Sequence, residues 1–164
     1  MAGDSGPALD LEIQLVTDQG ALPAGADFAT WIRAALNGGA EARSGKAAAG
    51  ALTLRLVGFE EGADLNFTWR NKTGPTNVLA FPGPRLEAGL PVEYGDLVIC
   101  LPIVGLEAAK QGKDPGHHLA HLVVHGTLHL LGYTHDESAT AAQMEALEKR
   151  ILEGLGIPDP YVIQ

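Results

Sequence analysis

The stretch His125-Gly126-Thr127-Leu128-His129-Leu130-Leu131-Gly132-Tyr133-Thr134-His135 decides how the C-terminal half of this chain folds. His125 and His129 are four residues apart, so on a helix they share one face with about 6 Å between them. Two imidazoles binding one ion need that spacing. Gly132 suits a helix C-terminus that requires a left-handed backbone. The chain can reverse there and return His135 to the same ion. His121 extends the ladder upstream, but His121 and His129 would stand about 12 Å apart along a straight helix axis. Nitrogens bound about 2.0–2.1 Å from one zinc cannot come from residues so far apart on a rigid rod. The expected ligands are therefore His125, His129 and His135, leaving one coordination position open for water, as in catalytic zinc sites.

The same spacing occurs in the metzincin proteases, His-Glu-x-x-His-x-x-Gly-x-x-His, but Gly126 stands where those enzymes carry their general base. A glycine inside a helix costs about 1 kcal/mol relative to alanine. It implies close approach by a substrate, by packed backbone or by a neighbouring helix.

Outward from this helix, Leu9-Asp10-Leu11-Glu12-Ile13-Gln14-Leu15-Val16 alternates apolar and polar and predicts a strand with one buried face. Phe28, Trp31, Ile32 and Leu36 fall at helical spacing between a cap at Asp27 and Gly38-Gly39. Residues 38–50, rich in Gly and Ala, read as a flexible loop. Further strands are expected at 51–57, 76–81 (closed by Pro82) and 96–101. A polar helix is expected from about Glu60 to Arg70, with others near 103–112, 116–131 and 138–154. This order predicts an α+β domain: one mixed sheet of about four strands with helices packed on it, spanning 1–164 as a single domain with a flexible N-terminus at 1–7.

Composition narrows the function. The chain has 164 residues, 46% hydrophobic and 19% charged, which is ordinary for a globular domain. No apolar run reaches the roughly 18 residues needed to span a bilayer. The first residues have neither a basic region nor an apolar one, so no secretion signal is expected. Cys100, the only cysteine, lies in an apolar stretch, reads as a buried core residue and fits the reducing cytoplasm. A net charge of −9 excludes broad electrostatic binding of nucleic acid. Between residues 55 and 135, however, eight acids face six bases, so a local cationic site remains open.

Taken with Leu65-Asn66-x-x-x-Arg70, Pro75-Thr76-Asn77-Val78-Leu79-Ala80-Phe81-Pro82 and Gly95-Asp96-Leu97-Val98-Ile99, the histidine stretch resembles the YbeY family. These are bacterial metal-dependent endoribonucleases of ribosomal RNA maturation and ribosome quality control. The likeness runs through nearly the whole chain from about residue 8. It implies one zinc ion at the three histidines, a functional Arg70, single-stranded or ribosomal RNA as substrate, and the ribosome as partner. Thr134 replaces the acidic residue common before the last histidine, and Ala80 the serine common before Phe81. Chemically, Arg70 is suited to grip a phosphate with two hydrogen bonds. Lys72, Arg85, Lys110 and Lys113 are further phosphate candidates, and Trp69 and Phe81 candidates for base stacking. Asp136 or Glu137 is placed to orient a ligand imidazole or to serve a helix N-terminus. His121 is placed for a substrate or ligand-orienting contact. Two rivals stay open: a zinc peptidase or other hydrolase, and a non-catalytic ribosome assembly factor with a structural zinc.

Overall fold

The computed structural model describes residues 8–84 and 91–162. The terminus expected to be flexible at 1–7, and Arg85, lie outside them. Nine elements follow in order: β1 (Leu9–Leu15), α1 (Phe28–Glu41), β2 (Gly50–Val57), α2 (Phe59–Arg70), β3 (Val78–Pro82), β4 (Val92–Cys100), α3 (Leu101–Gln111), α4 (Pro115–Leu130) and α5 (Ser138–Gly154). The four strands form one mixed sheet in the order β1-β2-β4-β3. β1 and β4 run parallel to β2, and β3 is antiparallel to β4. The α+β expectation holds.

Helices α1, α4 and α5 pack together on one face of the sheet. The main core lies there, built from residues such as Ile32, Leu54, Leu97, Leu119, Leu128 and Leu152, all fully buried. A smaller cluster on the other face joins Val57, Leu79, Val98 and Cys100 to Leu65 of α2. Cys100 is 2% exposed, and burial pushes its thiol pKa up, so the core role expected for it holds.

Three sequence expectations need correction. Residues 38–50 are not one loop, because α1 continues through Gly38 and Gly39 to Glu41. A methyl group at Gly38 would stand 2.7 Å from Ile151 Cγ1, and one at Gly39 2.6 Å from Leu131 Cδ1. These glycines let α1 approach α4 and α5 closely, and that packing outweighs their weak helix propensity. Second, the last strand begins at Val92, not Asp96. Its register against β2 shifts between Ala51 and Leu52, which pair with Glu93 and Gly95, leaving Tyr94 as the extra residue of a bulge. Third, β1 is only half covered. Leu9 and Leu11 pack against the core, but Ile13 and Leu15 are 47% and 54% exposed because β1 is a sheet edge.

Candidate metal centre

Local chemistry sets the helix that carries the centre. Asp114 caps α4 by accepting from the His117 N–H at 3.0 Å, and Pro115 occupies the first turn, where its missing N–H is no loss. α4 ends at Leu130, and Gly132 follows with φ +94°. This left-handed residue turns the chain, as its position in the sequence predicts. The Tyr133 N–H closes the turn onto Leu128 O at 3.1 Å. Tyr133 also donates its hydroxyl to Gly39 O at 2.7 Å. Arg43, which donates to Leu131 O at 2.6 Å, lies 3.9 Å from the centre of the Tyr133 ring. The end of α1 therefore holds the loop that carries His135.

The three expected ligands meet. The coordinating atoms of His125, His129 and His135 all lie within 4.8 Å of one another. The His125 and His129 Nε2 atoms are 3.0 Å apart. His129 Nδ1 lies 2.8 Å from Tyr133 O, a pure acceptor, so Nδ1 carries the proton and Nε2 a lone pair. His125 Nδ1 lies 2.6 Å from a Glu148 carboxylate oxygen and is protonated for the same reason. Two lone pairs thus face each other at 3.0 Å, an arrangement that calls for a cation between them. Nitrogens about 2.0–2.1 Å from one tetrahedral ion stand about 3.3–3.4 Å apart, close to the spacing found. Burial lowers the His129 pKa, which favours the neutral, ligating imidazole.

Glu148 was not expected from the sequence, although it interrupts the apolar stripe Met144, Leu147, Ile151 and Leu152 of α5. It has no solvent exposure and accepts hydrogen bonds from His125, from His121 Nε2 at 2.8 Å and from the Tyr161 hydroxyl. Burial alone would raise the Glu148 carboxyl, but the hydrogen bonds from His121, His125 and Tyr161 hold it at about 2. Burial and the Glu148 carboxylate raise the Tyr161 hydroxyl. His121, His125 and Glu148 also lie within reach of a common point. At 2.6 and 2.8 Å, however, these contacts have hydrogen-bond lengths and leave no space for a second ion. The neighbours Asp136 and Glu137 are exposed, and Glu137 serves to open α5, its N–H donating to Thr140 Oγ1 at 3.2 Å.

Gly126 is explained by packing. A methyl group there would lie 2.7 Å from Leu97 Cδ2 and 3.1 Å from Val78 Cγ2. The position that holds the base in metzincins has no room for a side chain.

Arg70 is the exposed last residue of α2, which packs on β4 through the smaller cluster. Asn71 follows with φ +55°, and buried Asn66 donates to Gly74 O at 2.7 Å, fixing the loop after Arg70. Beside Arg70, Trp69 is 65% exposed and meets Phe81 edge-on at 5.8 Å. Both aromatics line a groove of about 700 Å³ between α2 and the outer face of the sheet, together with Leu65, Ala80, Asp96 and Arg55. Arg55 is committed to Glu61 and Gln14. Lys113 donates to Pro160 O at 2.8 Å, whereas Lys72 and Lys110 are exposed. Thr134, the first departure noted, is exposed.

Comparison with known proteins identifies the family. The family described as Endoribonuclease YbeY matches residues 14–156. A protein named Endoribonuclease YbeY from Alkalilimnicola ehrlichii is 51% identical over 98% of this chain and 95% of its own length. One of the same name from Stutzerimonas stutzeri is 51% identical over 93% of this chain and 91% of its own. A solution structure of a Thermotoga maritima protein shares the fold, with a TM-score of 0.51 at 22% identity over 92% of this chain and 99% of that one. With three convergent histidines, two of them fixed in tautomer by neighbouring acceptors, and a family match over most of its length, this chain belongs to the YbeY endoribonuclease family.

Proposed function

We propose that this protein is a zinc-dependent endoribonuclease that cleaves single-stranded RNA during ribosomal RNA maturation and ribosome quality control. The observation that carries this reading is the meeting of two Nε2 lone pairs at 3.0 Å, with His135 beside them. Three nitrogen donors on a partly exposed surface suit zinc and leave a coordination position for solvent or substrate. When bound, the ion supplies Lewis acidity, acidifying a coordinated water and polarising a phosphoryl oxygen.

The chain's own residues do the rest. His125 and His129 present Nε2, held by Glu148 and the Tyr133 carbonyl, and His135 closes the set from the loop. Arg70 grips the phosphate with its planar fork and steadies charge developing on its oxygens. Exposed Trp69 offers a stacking face for a base beside that phosphate. Of the two roles open to His121, the contact with Glu148 is the one its geometry supports.

A net charge of −9 supports delivery to RNA through the ribosome rather than unaided capture from solution. No helix among the described residues is long and apolar enough to cross a membrane. Its single buried thiol, with no second cysteine to form a disulfide, supports a cytoplasmic location. The peptidase alternative has no side chain for a base at Gly126, and the family counts against it.

The test is metal analysis of the purified protein alongside cleavage of a single-stranded RNA, with a chelator control. The expected result is one zinc per chain, with cleavage lost to chelator and restored by zinc. Cleavage that survives complete metal removal would overturn the proposal. Stoichiometric zinc with no RNA cleavage would favour the assembly-factor reading.

A further inference from the structure

We propose that Glu148 is the positioning residue of the metal centre, and that Tyr161, near the C-terminal end of the chain, acts on the centre through it. The inference rests on the reading of His125, His129 and His135 as the metal ligands.

A carboxylate with no solvent exposure is costly in an apolar stripe unless its lone pairs are satisfied. Leucine or methionine at 148 would extend the packing of Met144, Leu147, Ile151 and Leu152 without that cost. All the donors found on Glu148 come from the site or lead to it. One oxygen accepts from His125 Nδ1, and the other from His121 Nε2 and the Tyr161 hydroxyl. Among the described residues no ion pair joins the carboxylate to a lysine or arginine, so its role is not that of an ordinary ion pair.

What the carboxylate does follows from imidazole chemistry. A free neutral imidazole side chain prefers its proton on Nε2, the nitrogen that must here hold a lone pair. An acceptor facing Nδ1 reverses that preference before any ion arrives. His129 has the Tyr133 carbonyl for this purpose, and His125 has Glu148.

Tyr161 is part of the same assembly. Its ring meets His121 edge-on at 5.3 Å, and its N–H is held by Asp159 Oδ1 at 2.9 Å. Lys113 holds the adjoining Pro160 carbonyl. The turn after α5 is thus fastened to the α3–α4 junction and to the carboxylate behind the ligand. The hydroxyl keeps Glu148 turned toward His125.

The experiment measures zinc affinity by competition with a chromophoric chelator, and the visible spectrum of the cobalt(II)-loaded protein, with no RNA present. Glu148→Gln presents either an amide N–H to His125 or a weaker, neutral acceptor. It should weaken zinc binding 10–100-fold and change the cobalt spectrum, an effect on the metal read separately from any lowering of the melting temperature. Glu148→Asp should recover part of the affinity, and Tyr161→Phe should lose about 2–5-fold. A merely structural Glu148 lowers only the melting temperature and leaves zinc affinity and the cobalt spectrum as in the wild type, and that result overturns the proposal. Should Glu148→Gln not fold, Glu148→Asp and Tyr161→Phe decide, and wild-type affinity in both sinks it. If the wild type binds no zinc, or His125→Ala binds it equally well, the ligand assignment falls. If only the Glu148 and Tyr161 variants fail to respond, the ligands stand and Glu148 has no positioning role.

Discussion

Arg70 and Trp69 are neighbours on the last turn of α2, both exposed, and neither is needed to hold the fold. Their substitution therefore reads substrate contact with little background from unfolding. Arg70→Ala should leave zinc content and melting temperature unchanged and lower single-stranded RNA cleavage roughly 10²–10³-fold, about 3–4 kcal/mol. Arg70→Lys should recover only part, because an ammonium lacks the two-point fork. Wild-type cleavage rates in metal-loaded Arg70→Ala would remove Arg70 from the mechanism. Trp69→Ala tests stacking separately. A lost base contact is worth about 1–3 kcal/mol, seen as a higher KM for RNA with zinc affinity unaltered. An unchanged KM assigns Trp69 only to its contact with Phe81.

At the scale of elements, the bulge in β4 is the most exacting piece of backbone. Gly95 has φ +122°, and a methyl group there would lie 2.1 Å from Phe81 O and 2.7 Å from Gly83 N. Both are backbone atoms of the β3 edge, so no side chain can move aside. Gly95→Ala should cost at least about 2 kcal/mol, roughly 4–8 °C of melting temperature, by strain and forced separation of β3 from β4. A wild-type melting curve would show that the strands adjust freely.

Glu107 ties α3 to α4 by its contact with His118 at 2.9 Å and accepts from Asn77 at 3.1 Å. Burial raises its carboxyl, but the bonds from His118 and Asn77 prevail and hold it below the ordinary 4.5. A depressed carboxyl contributes stability above the unfolded-state pKa and loses it as pH falls through the lower folded value. Glu107→Gln should accordingly melt below the wild type at neutral pH, and the gap should narrow from about pH 4.5 downward. A gap constant with pH would mean that Glu107 acts by packing alone.

Much of this architecture was legible in local spacing. His125, His129, Gly132 and His135 encode a helix, its stop and a return within eleven residues. Asp27 and Gly132 do what their positions foretell. What escaped depends on partners distant in sequence. Gly38 and Gly39 read as a helix stop because only Ile151 and Leu131 reveal them as contact points. Glu148 reads as one more surface acid of α5 because the histidines that satisfy it lie 23 and 27 residues away.

For the whole molecule, charge is the governing quantity. A chain at −9 repels a polyanion at long range, so whatever RNA it holds must be held by a few local contacts. Near the groove, Arg55 is engaged with Glu61, which leaves Arg70 and Lys72 as the exposed cations at the end of α2. Each phosphate contact on a single strand contributes a slope of about −0.7 to log K against log salt concentration. Two or three contacts predict a slope of about −1.4 to −2.1 for a short single-stranded RNA, measured by fluorescence anisotropy in chelator to prevent cleavage. Arg70→Ala should make that slope shallower by about 0.7, while Trp69→Ala, which removes the proposed stacking face and no charge, should weaken binding without altering it. A slope of about −5 or steeper would mean that a wide cationic surface forms on binding. The acidic chain would then need no ribosome to bring it to RNA, and that part of the proposed function would fail while the metal chemistry stood.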